Sequence, residues 1–272
     1  MADRHDAEDD DPLASAYNRG LALEKAGDLD GAAEAYQQVL ALDPDDRGGA
    51  SVRLAAIGKA AAPATAPPAY VATLFDQNAA HFDEMLVEQL GYSVPMLVRE
   101  RIADLGLGPW RRMLDLGCGT GLTGASMMDL AEEITGVDLS EAMLDEANEH
   151  GCYDALYVAE ATVFLAEIEE EPWDLVTATD VLPYIGALEP FFIGLDRSLA
   201  PDGVLVFSSE TLPGSETPWK VGAKHRYAHS LNYLRGLINK HAMAPLETLP
   251  ITVRYDEGTP VPGHLVIAKR TS

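Results

Sequence analysis

The sequence predicts an α/β protein: a doubly wound, mostly parallel, seven-stranded sheet with a C-terminal antiparallel hairpin, and a small all-α region in front of it. Three observations support this class. Short apolar runs alternate with helical stretches in the second half of the chain, a glycine-rich turn follows the first of these runs, and helical spacing dominates the N-terminal part. Apolar strands that alternate with helices are typical of a parallel sheet covered on both faces.

Residues 13–46 have the spacing of a tetratricopeptide repeat (TPR). Small residues, a turn, an aromatic residue and a proline occur where such a unit needs them, at Gly20, Gly27, Ala32, Tyr36 and Pro44. This TPR-like spacing predicts two antiparallel helices over residues 13–27 and 29–44, with a capping helix within residues 48–60. Because one repeat cannot bury both of its faces, we expect it to dock on a following helix, on the main domain or on another chain.

The remaining N-terminal segments differ in composition. Residues 1–12 are charged and poor in apolar residues, which predicts a disordered tail. Alanine and proline dominate residues 61–69, which predicts a semi-rigid linker between a TPR-like region (13–60) and a main domain (70–272). Helical spacing continues from residue 70 to about residue 106, with a predicted break between Gly91 and Pro95.

Five apolar runs predict the parallel strands, and four of the five end in a polar or acidic residue. They are RMLDLG, EITGVDLS, ALYVAE, WDLVTATD and GVLVFSSE. A helix is predicted within residues 229–242, and the runs LPITVRY and GHLVIAKR then predict an antiparallel hairpin. In such a sheet the ligand binds beyond the carboxyl ends of the strands.

Charge and cysteine content exclude several classes of function. The chain has 44 acidic and 19 basic residues and a formal net charge of -25, which disfavours nucleic acid and anionic membranes as partners. Its two cysteines, Cys118 and Cys152, cannot form a disulfide framework, and neither belongs to a metal-ligand cluster. No signal peptide or membrane-spanning run is recognisable. We therefore expect a cytoplasmic protein without a metal site.

The segment MLDLGCGTGLTG fits two ligand-binding templates. Gly119, Gly121 and Gly124 have the spacing of the dinucleotide fingerprint. Asp115, Gly117, Gly119 and Gly121 have the spacing of a loop that holds an adenosine-bearing ligand without phosphate contacts. A carboxylate at Asp115 favours the second template, because it can accept a hydrogen bond from a ligand ammonium group and would repel a phosphate.

The surrounding motifs separate the two templates. Asp138 ends the second strand and can accept the hydroxyls of a ribose, which both templates require. The motifs LDLGCGTG, GVDLSEAMLDEA, WDLVTATDVLPYIG and LAPDGVLVFS occur in the order found in the class I S-adenosylmethionine-dependent methyltransferases, which the sequence resembles over about residues 70–270. LFDQNAAHFDEMLVEQLGYSVP, RYAHS and PVPGHLVIAKR further resemble the bacterial group in which TPR units precede such a domain.

The resemblance implies S-adenosyl-L-methionine as the cofactor and assigns residues to it. Asp115 would face its amino group and Asp138 its ribose hydroxyls. Leu139 and Met143 would pack against the adenine, although ordinary helix packing explains them equally well. The loop backbone would lie against the methionine moiety and the ribose, at Gly117, Cys118, Gly119, Thr120 and Gly121.

The third and fourth strands end in further candidate residues. Glu160, followed by Ala161, stands where the family commonly has an aspartate for the adenine amino group. Thr179 and Asp180 would lie over the methyl-donor end. Asp180 either contacts the methionine part, orients or deprotonates a nucleophile, or caps the following helix.

Further candidates concern the end of the site that would hold the methyl acceptor. They come from the lid, which is the helical segment before the glycine loop, and from a late insert just before the last predicted helix. The catalytic candidates are Asp180, His81 and Tyr184, and the wider set adds Tyr70, Phe75, His225, Tyr227 and His229. A lone histidine in such a segment is more often structural than catalytic. Methyl transfer from a sulfonium depends on in-line placement and a dry pocket more than on an acid or base.

The predicted function is methyl transfer to a small-molecule or protein acceptor. One alternative is an NAD(P)-dependent oxidoreductase built on the glycines from Gly119 to Gly124. Another is a non-catalytic adaptor, in which the TPR-like region binds a protein partner and the sheet domain is a retained scaffold. The single repeat can also serve dimerisation or cover the active site.

Overall fold

The computed structural model describes residues 11–214 and 217–271. The N-terminal part consists of α1 (Pro12–Ala26), α2 (Leu29–Leu42) and α3 (Ala50–Ala56). Asp11 begins α1 by accepting a hydrogen bond from the Leu13 N–H, and Gly27 ends the helix with a φ of 81°. The predicted antiparallel helix pair is confirmed. The predicted tail lies outside the described residues except for its last two, which start α1.

The helices of this pair meet through a small residue, as the repeat spacing predicts. A Cβ added to Gly20 of α1 would lie 2.5 Å from the ring of Tyr36 in α2, and the Tyr36 side chain is fully buried. Ala16, which stands in place of the usual aromatic residue, is also buried. The TPR-like pair therefore packs through a close contact between a glycine and an aromatic ring.

Residues 61–67, which we call the strap, lie along the sheet domain. The Ala64 carbonyl accepts hydrogen bonds from the N–H groups of Gly186 and Ala187, each at 2.8 Å, and the Ala66 N–H donates to the Tyr184 carbonyl at 2.9 Å. These bonds place most of the predicted linker against the loop that follows the fourth strand. The division of the chain into domains at this segment stays a prediction.

The lid segment, residues 68–92, precedes the sheet. It contains α4 (Pro68–Asp76), a 3₁₀ turn (Ala79–His81) and a π-helical stretch (Glu84–Gln89), and α5 (Val94–Asp104) follows it. The predicted break near Gly91 is present, with a φ of 61° at that residue. A second break follows α4, where the Asn78 side chain donates to the Leu74 carbonyl at 2.7 Å.

The five predicted parallel strands are confirmed. They are β1 (Trp110–Leu116), β2 (Ala131–Asp138), β3 (Ala155–Val158), β4 (Trp173–Ala178) and β5 (Leu199–Thr211). They pair in the order β3-β2-β1-β4-β5. The connecting helices are α6 (Leu122–Met127), α7 (Glu141–His150), α8 (Ala161–Glu167) and α9 (Glu189–Ser198). Alternate residues of β1 enter two apolar clusters, Leu114 in one and Met113 in the other, because side chains along a strand point to opposite faces.

The C-terminal hairpin is also confirmed and is longer than predicted. The C-terminal elements are β6 (Trp219–Val221), β7 (Tyr227–His229), α10 (Leu231–Lys240), β8 (Met243–Asp256) and β9 (Thr259–Arg270). β9 runs antiparallel to both β5 and β8. The β6–β7 hairpin (219–229) adds two strands to the seven that were predicted, and β7 pairs parallel with the end of β5. These two strands have only three residues each, too few for a recognisable alternation.

Candidate functional site

A cleft opens beyond the carboxyl ends of β1, β2, β3 and β4. The lid segment covers one side of it with apolar side chains, and the loops that follow the strands form the other side. The lid contributes Val71, Phe75, Phe82, Leu86 and Tyr92. The cleft therefore occupies the place where an open α/β sheet binds its ligand.

The glycine loop after β1 presents bare backbone to this cleft. Gly117, Gly119 and Gly121 all have positive φ values, of 61°, 55° and 98°. No atom lies within 4 Å of the place that a Cβ on Gly119 would take. Cys118 and Thr120 line the cleft beside it, whereas Gly121 does not. A ligand can therefore approach the main chain at Gly119 more closely than a side chain would allow.

Gly124 has a different neighbour, which sequence reasoning missed. A Cβ on Gly124 would lie 2.5 Å from the hydroxyl and Cζ of Tyr153, and one on Gly136 would lie 2.9 Å from the same ring. The third glycine of the dinucleotide spacing thus makes room for a tyrosine under α6. No local motif marks Tyr153, because its partners come from distant parts of the chain.

Asp115 lies beneath the loop and does not line the cleft. Its Oδ1 accepts a hydrogen bond from the Thr177 hydroxyl at 2.6 Å, and its Oδ2 accepts one from the Tyr153 hydroxyl at 2.8 Å. The residue is 1% exposed, and this burial raises the pKa of its carboxyl to about 6. This placement therefore does not favour direct contact between the Asp115 carboxylate and a ligand ammonium group.

Asp138 lines the cleft at the end of β2. Its Oδ2 accepts a hydrogen bond from the Gly119 N–H and its Oδ1 accepts one from the Ser140 N–H, both at 2.9 Å. Burial raises the pKa of this carboxyl. Leu139 lines the cleft as well, but Met143 is fully buried behind it. The carboxylate thus connects the glycine loop to the start of α7.

Glu160, Ala161 and Thr179 complete the predicted binding set at the edge of the cleft. Glu160 caps α8 by accepting a hydrogen bond from the Val163 N–H at 2.9 Å. The hydroxyls of Thr179 and Thr123 lie 2.9 Å apart. The structure therefore brings residues from the ends of β3 and β4 to the same cleft as the glycine loop.

Two hydrogen bonds connect the lid segment to the loops of the sheet. Asp83 accepts one from the Thr120 hydroxyl, and Asp76 accepts one from the Ser140 hydroxyl. The ring of Phe75 lies edge-on to Phe82 and to Tyr184, at centroid distances of 5.7 and 5.4 Å. These contacts close the lid over the cleft with aromatic rings.

Asp180 is paired with two arginines that sequence reasoning missed. Its Oδ2 accepts a hydrogen bond from Arg226 at 3.0 Å and its Oδ1 one from Arg254 at 3.4 Å. Glu210 pairs with the same two guanidinium groups, at 3.0 and 2.6 Å. Asp180 has a φ of 59°, and its own N–H donates to the Ser208 hydroxyl. Its carboxylate does not cap the following 3₁₀ turn (Leu182–Tyr184), so the predicted capping role is wrong.

The other two catalytic candidates occupy different environments. Tyr184 lines the cleft and is 8% exposed, and burial raises its pKa to about 12. The Arg226 guanidinium lies 5.0 Å from the centroid of its ring. His81 lies in the 3₁₀ turn of the lid segment, is exposed and does not line the cleft. The structure therefore does not bring His81 to the cleft.

Most residues of the wider set of acceptor-end candidates contact other parts of the fold and do not line the cleft. His229 is fully buried and donates from Nε2 to the Ile185 carbonyl at 2.9 Å, and burial lowers its pKa to about 4. Tyr227 donates to the Pro63 carbonyl, Tyr70 packs on Gly49, and His225 lies near Arg53. Of this set only Phe75 lines the cleft.

Within residues 11–214 and 217–271, none of the helices combines the length and the apolar character that a membrane span requires. In the same part of the chain no group of three or more His, Cys, Asp or Glu side chains is arranged to hold a metal ion. Both cysteines are buried free thiols.

Two protein families match parts of the chain. Residues 114–207 match the family described as methyltransferase domain, and this range spans the parallel strands from the end of β1 into β5. Residues 14–46 match the tetratricopeptide repeat family, which spans α1 and α2.

Curated relatives share part of this sequence. A malonyl-[acyl-carrier protein] O-methyltransferase from Legionella pneumophila is 29% identical over 188 residues, covering 63% of this chain and 63% of the relative. A ubiquinone biosynthesis O-methyltransferase from Hahella chejuensis is 32% identical over 104 residues, covering 37% and 44%. The chain spans less than two thirds of the length of either relative.

Solved structures with a similar fold include two methyltransferases. N-methyltransferase NodS from Bradyrhizobium japonicum WM9, in complex with S-adenosyl-L-homocysteine, has a TM-score of 0.57 at 15% identity, covering 74% of this chain and 99% of NodS. Magnesium protoporphyrin IX methyltransferase from Synechocystis, with bound S-adenosylmethionine, has a TM-score of 0.51 at 19% identity, covering 65% and 78%. At these identities the likeness extends to the fold.

Proposed function

We propose that the sheet domain of this chain, which matches the methyltransferase domain family and follows one tetratricopeptide repeat, is a class I S-adenosylmethionine-dependent methyltransferase. It transfers a methyl group from S-adenosylmethionine to a small-molecule acceptor. The observation that carries this proposal is a single cleft. Gly119, Asp138 and Glu160 follow three neighbouring parallel strands and all open into it. Bare backbone beside two carboxylates suits a nucleoside that has hydroxyl and amino groups and no phosphate.

The residues present fit this cofactor. Open space faces Gly119, where a Cβ would otherwise project, and the Asp138 carboxylate lies beside it. Asp138 would accept hydrogen bonds from ribose hydroxyls, and Glu160 would accept one from the adenine amino group. Leu139 and Ala161 would pack against the adenine. Asp115 would support the loop from beneath.

Aromatic side chains line the end of the cleft that would hold the methyl donor. When bound, S-adenosylmethionine supplies an electrophilic methyl group on a sulfonium centre. This end is lined by Phe75, Phe82, Tyr92 and Tyr184. The hydrogen bonds that Asp76 and Asp83 accept from the Ser140 and Thr120 hydroxyls hold the lid segment against the loops of the sheet. The aromatic side chains would exclude water and orient the acceptor.

Asp180 is better suited to hold this end together than to remove a proton. Both of its carboxylate oxygens already accept from guanidinium groups, those of Arg226 and Arg254. With both oxygens already accepting hydrogen bonds, the carboxylate has no free oxygen to present to an acceptor hydroxyl. We therefore propose that Asp180 positions the wall of the cleft and that the acceptor needs no strong base.

The surroundings of the cleft favour a small acceptor with an apolar body. Rings and aliphatic side chains form most of its acceptor side, and the carboxylate at Asp180 is neutralised by its arginines. The net charge of -25 disfavours a polyanion such as nucleic acid. A cytoplasmic location remains part of the proposal, since both cysteines are free thiols.

Ligand binding tests the cofactor assignment. The full chain is titrated with S-adenosylhomocysteine, NAD and NADP by calorimetry and by thermal shift. We expect binding of S-adenosylhomocysteine alone. At a hundredfold excess over Kd this binding adds about 2.7 kcal/mol to the unfolding free energy, which raises Tm by roughly 5–10 °C in a chain of this size. Binding of NAD or NADP alone would replace the proposal with the oxidoreductase.

Methyl labelling tests the acceptor class. S-adenosylmethionine labelled in its methyl group is incubated with the protein and with two fractions of a cell extract, one of small molecules and one of proteins. Label in the small-molecule fraction supports the proposal. Label in the protein fraction alone would identify a protein acceptor, and cofactor binding without any labelled product would favour the adaptor.

A further inference from the structure

We call α1–α3, the helix pair with its capping helix, the helical repeat, and the β6–β7 hairpin packs on α3 of this repeat through an apolar cluster. Val52 of α3 is fully buried and shares this cluster with Val221 of β6 and Tyr227 of β7. Ala66 of the strap and Tyr184 belong to the same cluster. One contact region therefore joins the repeat, the hairpin, the strap and a wall of the cleft.

Polar contacts extend this region to the tip of the hairpin. His225 Nε2 lies 3.4 Å from Arg53 Nη1 and 3.6 Å from Glu24 Oε1. Arg53 also donates to the Tyr17 hydroxyl at 3.1 Å. The hairpin tip thus lies against side chains of both α1 and α3. A single repeat needs a neighbour to cover its second face, and here part of that neighbour comes from the same chain.

The hairpin is connected to the cleft through the strap. The Tyr227 hydroxyl donates to the Pro63 carbonyl at 2.9 Å. Ala66 and Ala64 are hydrogen-bonded to the segment from Tyr184 to Ala187. Thr65, Ala66 and Tyr184 line the cleft. Two sets of contacts therefore connect the hairpin to the cleft wall: one joins the hairpin to the strap, and the other joins the strap to the segment that contains Tyr184.

We propose that the repeat is an internal clamp: its α1–α3 face binds the β6–β7 hairpin of its own chain and thereby fixes the wall of the cleft formed by the strap and Tyr184. His225 and Val221 are positioning residues in this arrangement. That this wall belongs to the acceptor side rests on the proposed function. A separate protein on this face of the repeat would have to displace the hairpin.

Amide exchange in the full chain tests the clamp with Val221→Asp. This change introduces a charge into the buried cluster. We expect hydrogen–deuterium exchange at the amides of Ala66, Gly186 and Ala187 to rise about tenfold or more, while exchange in β1 and β4 stays the same. The control is Ile193→Asp, at an exposed aliphatic residue of α9 that is 57% exposed. Unchanged exchange at the three amides would overturn the proposal.

A milder variant decides the case if Val221→Asp does not fold. His225→Gly removes only the ring contacts, because glycine adopts the φ of 61° at this position without strain. The matched control is Asp202→Gly, since Asp202 has a φ of 63° and lies in β5 where its register against β4 shifts. We expect faster exchange at Ala66 and Gly186 in the first variant only. Equal exchange in both variants would refute the clamp.

Ligand measurements on the same variants separate this inference from the proposed function. We expect His225→Gly to bind S-adenosylhomocysteine with a Kd within about twofold of the parent chain, because no clamp residue touches the glycine loop. Labelled product from the small-molecule fraction should fall. If the parent chain does not bind S-adenosylhomocysteine, the proposed function fails and the exchange result still stands. A protein that binds the α1–α3 face of the parent chain without raising exchange in the hairpin would contradict the clamp.

Discussion

The ring of Tyr153 lies against Gly124 so closely that a Cβ on this glycine would be 2.5 Å from the tyrosine hydroxyl. This contact explains why position 124 is a glycine without reference to any ligand. The dinucleotide spacing from Gly119 to Gly124 therefore arises from two separate requirements. One glycine opens the loop to the cleft, and the other makes room for a buried ring.

Gly124→Ala is expected to destabilise the fold without a loss of cofactor affinity. The added methyl group meets the Tyr153 ring, and such overpacking costs about 1–3 kcal/mol. Gly236→Ala is the matched control, because Gly236 lies in α10 with no atom within 4 Å of the added Cβ, and alanine there should add about 0.5–1 kcal/mol. Urea unfolding measures both. A loss of S-adenosylhomocysteine affinity at unchanged stability would show that Gly124 approaches the ligand.

Asp138→Asn is expected to weaken S-adenosylhomocysteine binding. The carboxylate accepts from two backbone N–H groups, at Gly119 and Ser140, and an amide can accept only from one side. Loss of charged hydrogen bonds to loop and ribose corresponds to roughly 10- to 100-fold in Kd. Calorimetry measures the change, with Asp145→Asn on the exposed face of α7 as the control. An unchanged Kd would remove Asp138 from the proposed site.

Asp115→Asn is expected to change how stability depends on pH. The folded pKa of about 6 lies above the ordinary value of 3.8, so the carboxyl contributes stability below pH 4 that is lost as the pH rises through 6. Relative to the parent chain, the variant should gain about 1 kcal/mol between pH 5 and pH 8.

Urea unfolding of both chains at the two pH values measures this difference. The comparison cancels the opposite effect of His229, whose lowered pKa of about 4 makes stability fall as the pH falls from 6.5 to 4. A difference between variant and parent that is the same at pH 5 and pH 8 would contradict the raised pKa of Asp115.

Asp180→Asn is expected to cost about 3 kcal/mol of unfolding free energy, because it leaves the partly buried Arg226 and the buried Arg254 with only Glu210 as a charged partner. Asparagine tolerates the left-handed backbone at this position, so strain does not add to the loss. Asp129→Asn is the control: its ion pair with Arg99 is largely exposed and should matter little. Equal urea midpoints for the two variants would contradict the role assigned to the pair of arginines.

The sequence by itself determined the parallel sheet, the TPR-like helix pair and the ligand-binding edge of the sheet. These features depend on local patterns: apolar runs of strand length, glycines after β1, and acids such as Asp138 at strand ends. Local spacing is sufficient there because each pattern and the element that it produces lie in the same short stretch of chain. The β6–β7 hairpin was not predicted, because strands of three residues are too short to show a clear alternation of apolar and polar side chains.

The tertiary structure alone decided what the side chains at the site contact. Asp115 contacts Tyr153 and Thr177 and does not line the cleft. Asp180 is paired with Arg226 and Arg254. His81 lies outside the cleft. Each of these outcomes joins groups that are far apart in the sequence. Burial and long-range pairing set the charge and the contacts of such groups, and both exist only once the chain has folded.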